Sequence, residues 1–228
     1  DLHSLSLFWL VAPIMGLLIQ PIVGSASDKT WNRLGRRTPY ILIGAIAAAI
    51  GMILMPNSPL FISIVTPIFF GVMMLAIMDA SFNVAFQPFR ALVSDMVPAN
   101  QRNIGYSVQS FLINIGAVIG SILPFVLTNI IGLDNTATTG EVAPSVIWAF
   151  YIGASVLLGS VLWTVFKTKE YAPGEYGLAM IEPVKEKISI SEKFIDFIGL
   201  VKTMPTVMKQ LAVVQFFSWF ALFIMWVY

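Results

Sequence analysis

The sequence predicts an all-α protein embedded in a membrane, and three observations carry that prediction. Hydrophobic residues fill 57% of its 228 positions and charged residues only 11%, against about 25% charged in soluble domains. Mean hydropathy is +0.84. The charges are also segregated: none falls within Leu2–Ser27, Thr38–Met78, Asn103–Leu133, Val142–Phe166 or Gln210–Tyr228. A spanning helix needs about 20 mostly apolar residues. Membrane barrels would show alternating segments of about 10 residues instead, and these runs are continuous.

Six spans follow in order. The first, Leu5–Val23, leads into a polar loop from Gly24 to Pro39. The run from Thr38 to Met78 is long enough for two helices. Pro56-Asn57-Ser58-Pro59 divides it into Tyr40–Met55 and a third span, Leu60–Val84. The fourth, Ile104–Ile131, contains Gly116-Ala117-Val118-Ile119-Gly120, a spacing of small residues that lets helices approach closely. Ser145–Phe166 and Leu211–Tyr228 complete the set. Pro13, Pro21, Pro67 and Pro124 fall inside spans and predict bent helices.

A hydrophilic segment, Lys167 to Lys209, separates the last two spans. It opens with the turn-rich stretch Lys167 to Gly174. From Ser189 to Met204, Ile190, Phe194, Phe197, Ile198 and Val201 recur at helical spacing, which predicts an amphipathic helix along the membrane surface. Residues 1–166 are thus expected to form one helical bundle, 167–210 a linker, and 211–228 the first helix of a second bundle. The chain starts at Asp1 without an initiator Met and ends in an apolar run, so an internal fragment lacking at least one preceding helix is expected. No cleavable signal pattern is present.

Charge placement predicts the orientation. All 13 Lys and Arg fall in loops on one side: Lys29 to Arg37, Arg90 to Arg102, and Lys167 to Lys209. The other side carries only Asp1, His3, Asp134 and Glu141 as charged or titratable groups. The positive-inside rule makes the basic loops cytoplasmic and the protein a multi-pass one of the cell (inner) membrane. The net charge of +1 hides this asymmetry and points to no nucleic-acid partner. Without Cys there are no disulfides or thiolate metal sites, and no cofactor is expected.

Asp79 is the one acid inside a span. From an entry at Leu60 it lies about 28 Å along the helix, somewhat past the middle of the bilayer. Asp79, Asn83 and Gln87 share one helical face, too polar for lipid, so it must meet protein or a water-filled cavity. A carboxylate there suits uptake and release of a proton. The same position suits a neutral aspartic acid bonded to a neighbouring helix. Arg90 and Asp95 stand where this helix exits; Arg90 can pair with Asp28 or Asp95 across the mouth, or both can be solvated anchors. In the Gly24–Pro39 loop, Asp28, Arg33, Gly35, Arg36 and Arg37 suggest a lock, with Asp28 near the start of a short helix and favoured by its dipole. Gln109 and Asn114 either face the cavity or bond a partner helix. His3 reads as an interfacial residue, and Trp9, Trp148 and Trp219 as belt residues or sugar-stacking platforms. One His, no Cys and one buried acid argue against a membrane-embedded enzyme such as a lipid transferase.

Gly24-x-x-x-Asp28-Lys29 followed by Arg33-x-Gly35-Arg36-Arg37 resembles the signature between helices two and three of the major facilitator superfamily. Its longer form resembles the glycoside–cation symporter branch, in particular the sucrose–proton carriers of plants and their bacterial and animal relatives. Trp9-Leu10, Pro13, Gly16-Leu17, Gln20-Pro21-x-Val23-Gly24, Pro39-Tyr40-Ile41, and Asp79 with Asn83, Pro88, Arg90-Ala91-Leu92 and Asp95 extend the match. The resemblance implies twelve helices in two bundles, with this chain covering about helices 2–7. It implies a small glycoside and protons as cargo and Asp79 as the proton site. Gln20, Asn83, Gln109, Asn114, Trp9 and His3 are then candidates for the substrate cavity. The plant carriers have a histidine ahead of their second helix; His3 stands nearby, one residue out of register with Trp9. A monomer is expected. A non-sugar cargo or a passive uniporter remain the alternatives within the fold.

Overall fold

The computed structural model describes residues 2–61, 66–137, 141–170 and 203–227, and the side chains of residues 2–9, 61, 67, 68, 226 and 227 lie outside the described set. Six α-helices follow in order: α1 Leu2–Lys29, α2 Thr38–Leu54, α3 Pro67–Met96, α4 Arg102–Asn129, α5 Pro144–Lys167 and α6 Thr206–Val227, with a 3-10 turn at Ser58–Phe61. Five of them are long and apolar enough to cross a membrane. The sixth, α2, is apolar but has 17 residues, about 25 Å of helix. Among the described residues the one β-type pairing is an isolated bridge between Asn32 and Gly35.

The chain falls into two compact units: residues 10–181, and residues 1–9 with 182–228. In the first unit α2 lies between α3 and α5. Its buried apolar side chains are Ile41, Ala45, Ala48 and Ala49, and the three alanines are small enough for backbones to come close. Gly44 marks the tightest approach. A Cβ there would stand 2.6 Å from the Ala85 backbone nitrogen and 2.8 Å from the Ser81 carbonyl oxygen. On the other faces, large apolar side chains such as Leu17, Ile43, Phe125 and Phe166 are exposed. Apolar surface of that extent marks a membrane or an interaction face. The second unit contains α6, along which the tilted rings of Trp219 and Phe223 lie 6.3 Å apart between centres.

Three expectations change. The third span does not begin at Leu60. Leu60 belongs to the short 3-10 turn, and α3 begins at Pro67 and runs to Met96. Pro67 therefore starts a helix rather than bending one, since its missing N–H is unpaired in a first turn anyway. Pro88 is the proline inside α3. Asp79 therefore lies about 18 Å along this 45 Å helix, rather than about 28 Å from its start. Among the described residues the Gly116–Gly120 stretch carries no close approach: a Cβ at either glycine meets nothing within 4 Å. Close packing is instead made at Gly44, and at Gly105 against Val93. The proposed amphipathic helix falls outside the described residues but for its last two positions, and α6 begins at Thr206, ahead of the expected Leu211.

Adding a methyl group at the α2–α3 contact forces two backbones apart. Gly44→Ala is expected to destabilise the protein by about 1–3 kcal/mol, read as a lowered unfolding midpoint in detergent. Gly159→Ala, inside α5 where a Cβ meets nothing within 4 Å, is the control and should leave the midpoint unchanged or slightly raised.

Candidate functional site

At one end of the first unit a two-residue turn carries α1 into α2. The backbone N–H of Gly35 donates to Asn32 O at 3.0 Å, and that of Asn32 to Gly35 O at 3.2 Å. Asn32 Oδ1 accepts from the Leu34 N–H at 2.9 Å. Gly35 has φ +107°, a left-handed conformation that glycine adopts without steric cost. The turn aims two arginines at two helices, α1 and α3. Arg36 Nη2 meets Asp95 Oδ2 of α3 at 2.6 Å, and Arg37 Nε shares the same oxygen at 3.0 Å. Arg37 Nη2 pairs with Asp28 Oδ1 of α1 at 2.5 Å, and its Nη1 donates to Ser27 Oγ at 2.7 Å. Arg37 is 6% exposed, so its charge depends on these partners.

A third carboxylate joins from beyond α5. Glu170 accepts from the backbone N–H of Arg36 at 2.8 Å, of Arg37 at 3.0 Å and of Thr38 at 2.7 Å, and from Thr38 Oγ1 at 2.6 Å. It thereby sits on the positive end of α2, where unpaired N–H groups and the helix dipole both favour an anion. A side chain at Gly35 would collide with it, since a Cβ would lie 2.6 Å from the Glu170 carboxyl carbon.

The structure thus brings together Asp28, Gly35, Arg36, Arg37 and Asp95 from the predicted set, and adds Glu170. Two expectations are corrected. Asp28 lies in the last turn of α1, at the negative end of a dipole, and Arg37 rather than a helix start supplies its counter-charge. Among the described residues Arg90 pairs with neither Asp28 nor Asp95; both carboxylates are held by Arg36 and Arg37 of the turn. Arg33 is exposed and makes no ion pair among the described residues. Glu170 escaped notice because its partners are backbone N–H groups, which no side-chain pattern displays. The available signal was its place as an acid directly after Lys167 and Lys169 at the exit of α5.

Deeper in the unit, the polar stripe of α3 meets α1. Gln87 Nε2 donates to Gln20 Oε1 at 2.8 Å, Gln20 Nε2 to Asn83 Oδ1 at 2.7 Å, and Asn83 Nδ2 to the Asp79 carbonyl at 2.8 Å. Gly16 leaves room for Gln20, whose Nε2 a Cβ at 16 would approach to 3.4 Å. Gln20, Asn83, Phe86, Gln87 and Arg90 line a cavity of about 150 Å³. Asp79 Oδ2 and Gln109 Nε2 are buried with no hydrogen-bond partner among the described residues. Such atoms inside an apolar helix are costly and mark a place where a proton or polar ligand is wanted.

Asn114 is exposed and spends its amide on Ser110 O of its own helix, at 2.8 Å. Trp148 is half exposed, edge-on to Tyr151; neither residue joins the amide group. His3 and Trp9 lie outside the residues whose side chains are described. A larger cavity of about 410 Å³ lies at the opposite end, between the Pro56–Leu60 turn and the Asp134–Ile147 stretch. No group of three or more His, Cys, Asp or Glu with metal-holding geometry occurs among the described residues.

Comparison with known proteins places this arrangement. Residues 1–225 match the family described as MFS/sugar transport protein. The chain is 26% identical to the general alpha-glucoside permease of Schizosaccharomyces pombe, over 96% of its own length and 39% of the relative's. It is 32% identical to the mouse membrane-associated transporter protein, over 52% of the chain and 24% of that protein. It is 31% identical to the human proton-associated sugar transporter A, over 52% of the chain and 17% of that protein. The chain spans well under half the length of each of these relatives. With the family match running through almost every residue, this chain belongs to the sugar-transport family of the major facilitator superfamily.

Proposed function

We propose that this chain is the greater part of the first bundle, and the start of the second, of a symporter that moves a small glycoside with protons by alternating access. The observation that carries the reading is Asp79: a carboxylate near the middle of a membrane-length helix, with one oxygen buried and without a partner among the described residues. An acid so placed holds a proton while the site is dry and releases it when water or a cation reaches it. The amide group one turn away offers the donors and acceptors that sugar hydroxyls need. Two of the similar proteins carry glucoside or sugar transport in their names, which supports the cargo class. The name of the mouse relative specifies no cargo, so a non-sugar cargo on the same fold is the second reading.

In this reading the basic end faces the cytoplasm and the Arg36–Arg37–Asp95–Asp28 group is its gate. Charge-assisted bonds between helix ends are strong enough to hold a closed state and few enough to release. Glu170, just past the end of α5, is tied to the first turn of α2. Residues 167–210 then act as the bridge between bundles.

Two outcomes are expected. In proteoliposomes of the full-length carrier, Asp79→Asn abolishes sugar accumulation driven by an imposed pH gradient but keeps sugar exchange within about threefold of wild type. Intact gradient-driven accumulation would refute the proton role. Second, Asp95→Asn and Glu170→Gln each weaken the closed gate. A single cysteine introduced by Phe86→Cys should then react with an impermeant maleimide from the basic side about tenfold faster. Unchanged labelling rates in both variants would remove the gate from the mechanism.

A further inference from the structure

The amide hydrogen bonds between α1 and α3 run in one direction, and that direction is forced. The Asp79 carbonyl can only accept, so Asn83 must turn its NH2 toward it. Asn83 Oδ1 then faces Gln20, which must present its own NH2. Gln20 Oε1 is left facing Gln87, which must donate. One backbone carbonyl therefore sets the orientation of three side chains, two along the Asp79–Gln87 stretch of α3 and one on α1. Gln20 is the middle link and comes from the other helix. Without it, Asn83 Oδ1 and Gln87 Nε2 have no other partner among the described residues.

Once these bonds are made, each amide NH2 keeps one N–H, and Gln87 Oε1 accepts nothing among the described residues. These groups belong to residues that line the 150 Å³ cavity together with Arg90. A wall with several donors and one clear acceptor suits adjacent hydroxyls of a pyranose ring, which accept and donate at once. We propose that Gln20 is the positioning residue of the sugar site. It fixes Asn83 and Gln87 in the orientation that recognises a pair of ring hydroxyls. This rests on the sugar reading above. Gln20 acts by deciding which atoms of its neighbours point at the ligand, a role that depends on its having a donor and an acceptor at once.

The test is equilibrium exchange of labelled maltose, and of maltose analogues each lacking one hydroxyl, by the full-length carrier in proteoliposomes. Gln20→Glu keeps size and replaces the donor with an oxygen that faces Asn83 Oδ1; Gln20→Leu removes both functions. Each is expected to raise the apparent KM for maltose about tenfold, with maximal rate within about twofold. The penalty that wild type shows for at least one deoxy analogue should shrink in both variants. A KM that does not move overturns the proposal, as does a raised KM with every deoxy penalty intact, which a purely structural role would give. If Gln20→Leu fails to fold, Gln20→Glu decides alone. If the wild-type carrier exchanges neither maltose nor sucrose, the sugar reading fails separately. The positioning role is then decided by thermal unfolding midpoints of Gln20→Leu, Asn83→Leu and the double variant, where additive shifts overturn it and non-additive shifts uphold it.

Discussion

A polar group inside a bilayer has no water to fall back on, and this constraint shapes everything else in the chain. Each peptide group must be satisfied within its own segment, so the apolar runs become helices. Each polar side chain within a helix must find a partner or carry a cost. Most of the serines and threonines comply locally: Ser81, Ser107, Ser121, Ser155 and Thr164 each donate to the carbonyl four residues back. Gln20, Asn83 and Gln87 comply across helices. Asp79 does not comply fully, and that exception is where the chemistry is sought.

The same constraint explains why charge is gathered at helix ends. Arg37 is buried and yet tolerable because a hydroxyl and two carboxylates surround its guanidinium. One carboxylate oxygen of Asp95 serves both arginines. Glu170 is matched by a different resource, the unpaired N–H groups at the start of α2. The two kinds of contact meet on three consecutive residues, Arg36, Arg37 and Thr38. Four helices of the unit are thereby tied at one short stretch of chain, α1 and α3 through side chains and α5 through backbone. A left-handed glycine makes the turn possible, and the absence of a side chain there leaves space for Glu170.

Packing and chemistry are divided between helices. α2 is lined with small residues and serves as the structural spine between α3 and α5. α1 meets α3 through amides rather than through a seam of small residues, so polar function and helix contact coincide there. A substitution in α2 therefore acts on stability, and one on the facing surfaces of α1 and α3 acts on both contact and recognition.

The sequence by itself determined the membrane class, the number of apolar elements and the grouping of charge. Those follow from composition and from the length of uncharged runs, which need no tertiary information. It also marked Asp28, Arg36, Arg37 and Asp95, because charges at helix exits are sparse enough to stand out. Its errors were at boundaries and partners. Leu60 looked like a helix start because it is apolar, but Pro67 had the backbone geometry for one. Gly116 and Gly120 carried the pattern of close packing, yet Gly44 made the contact, since a small residue matters only where another backbone arrives. Only the tertiary structure decided that Asp95 belongs to Arg36 and Arg37 rather than Arg90. Only it showed Gln20 between Asn83 and Gln87, and Glu170 on the end of α2. These pairs are separated by 58 to 134 positions, and hydrogen bonds reach only about 3 Å. Such matches exist once the helices are placed, and periodicity along one helix cannot reveal them.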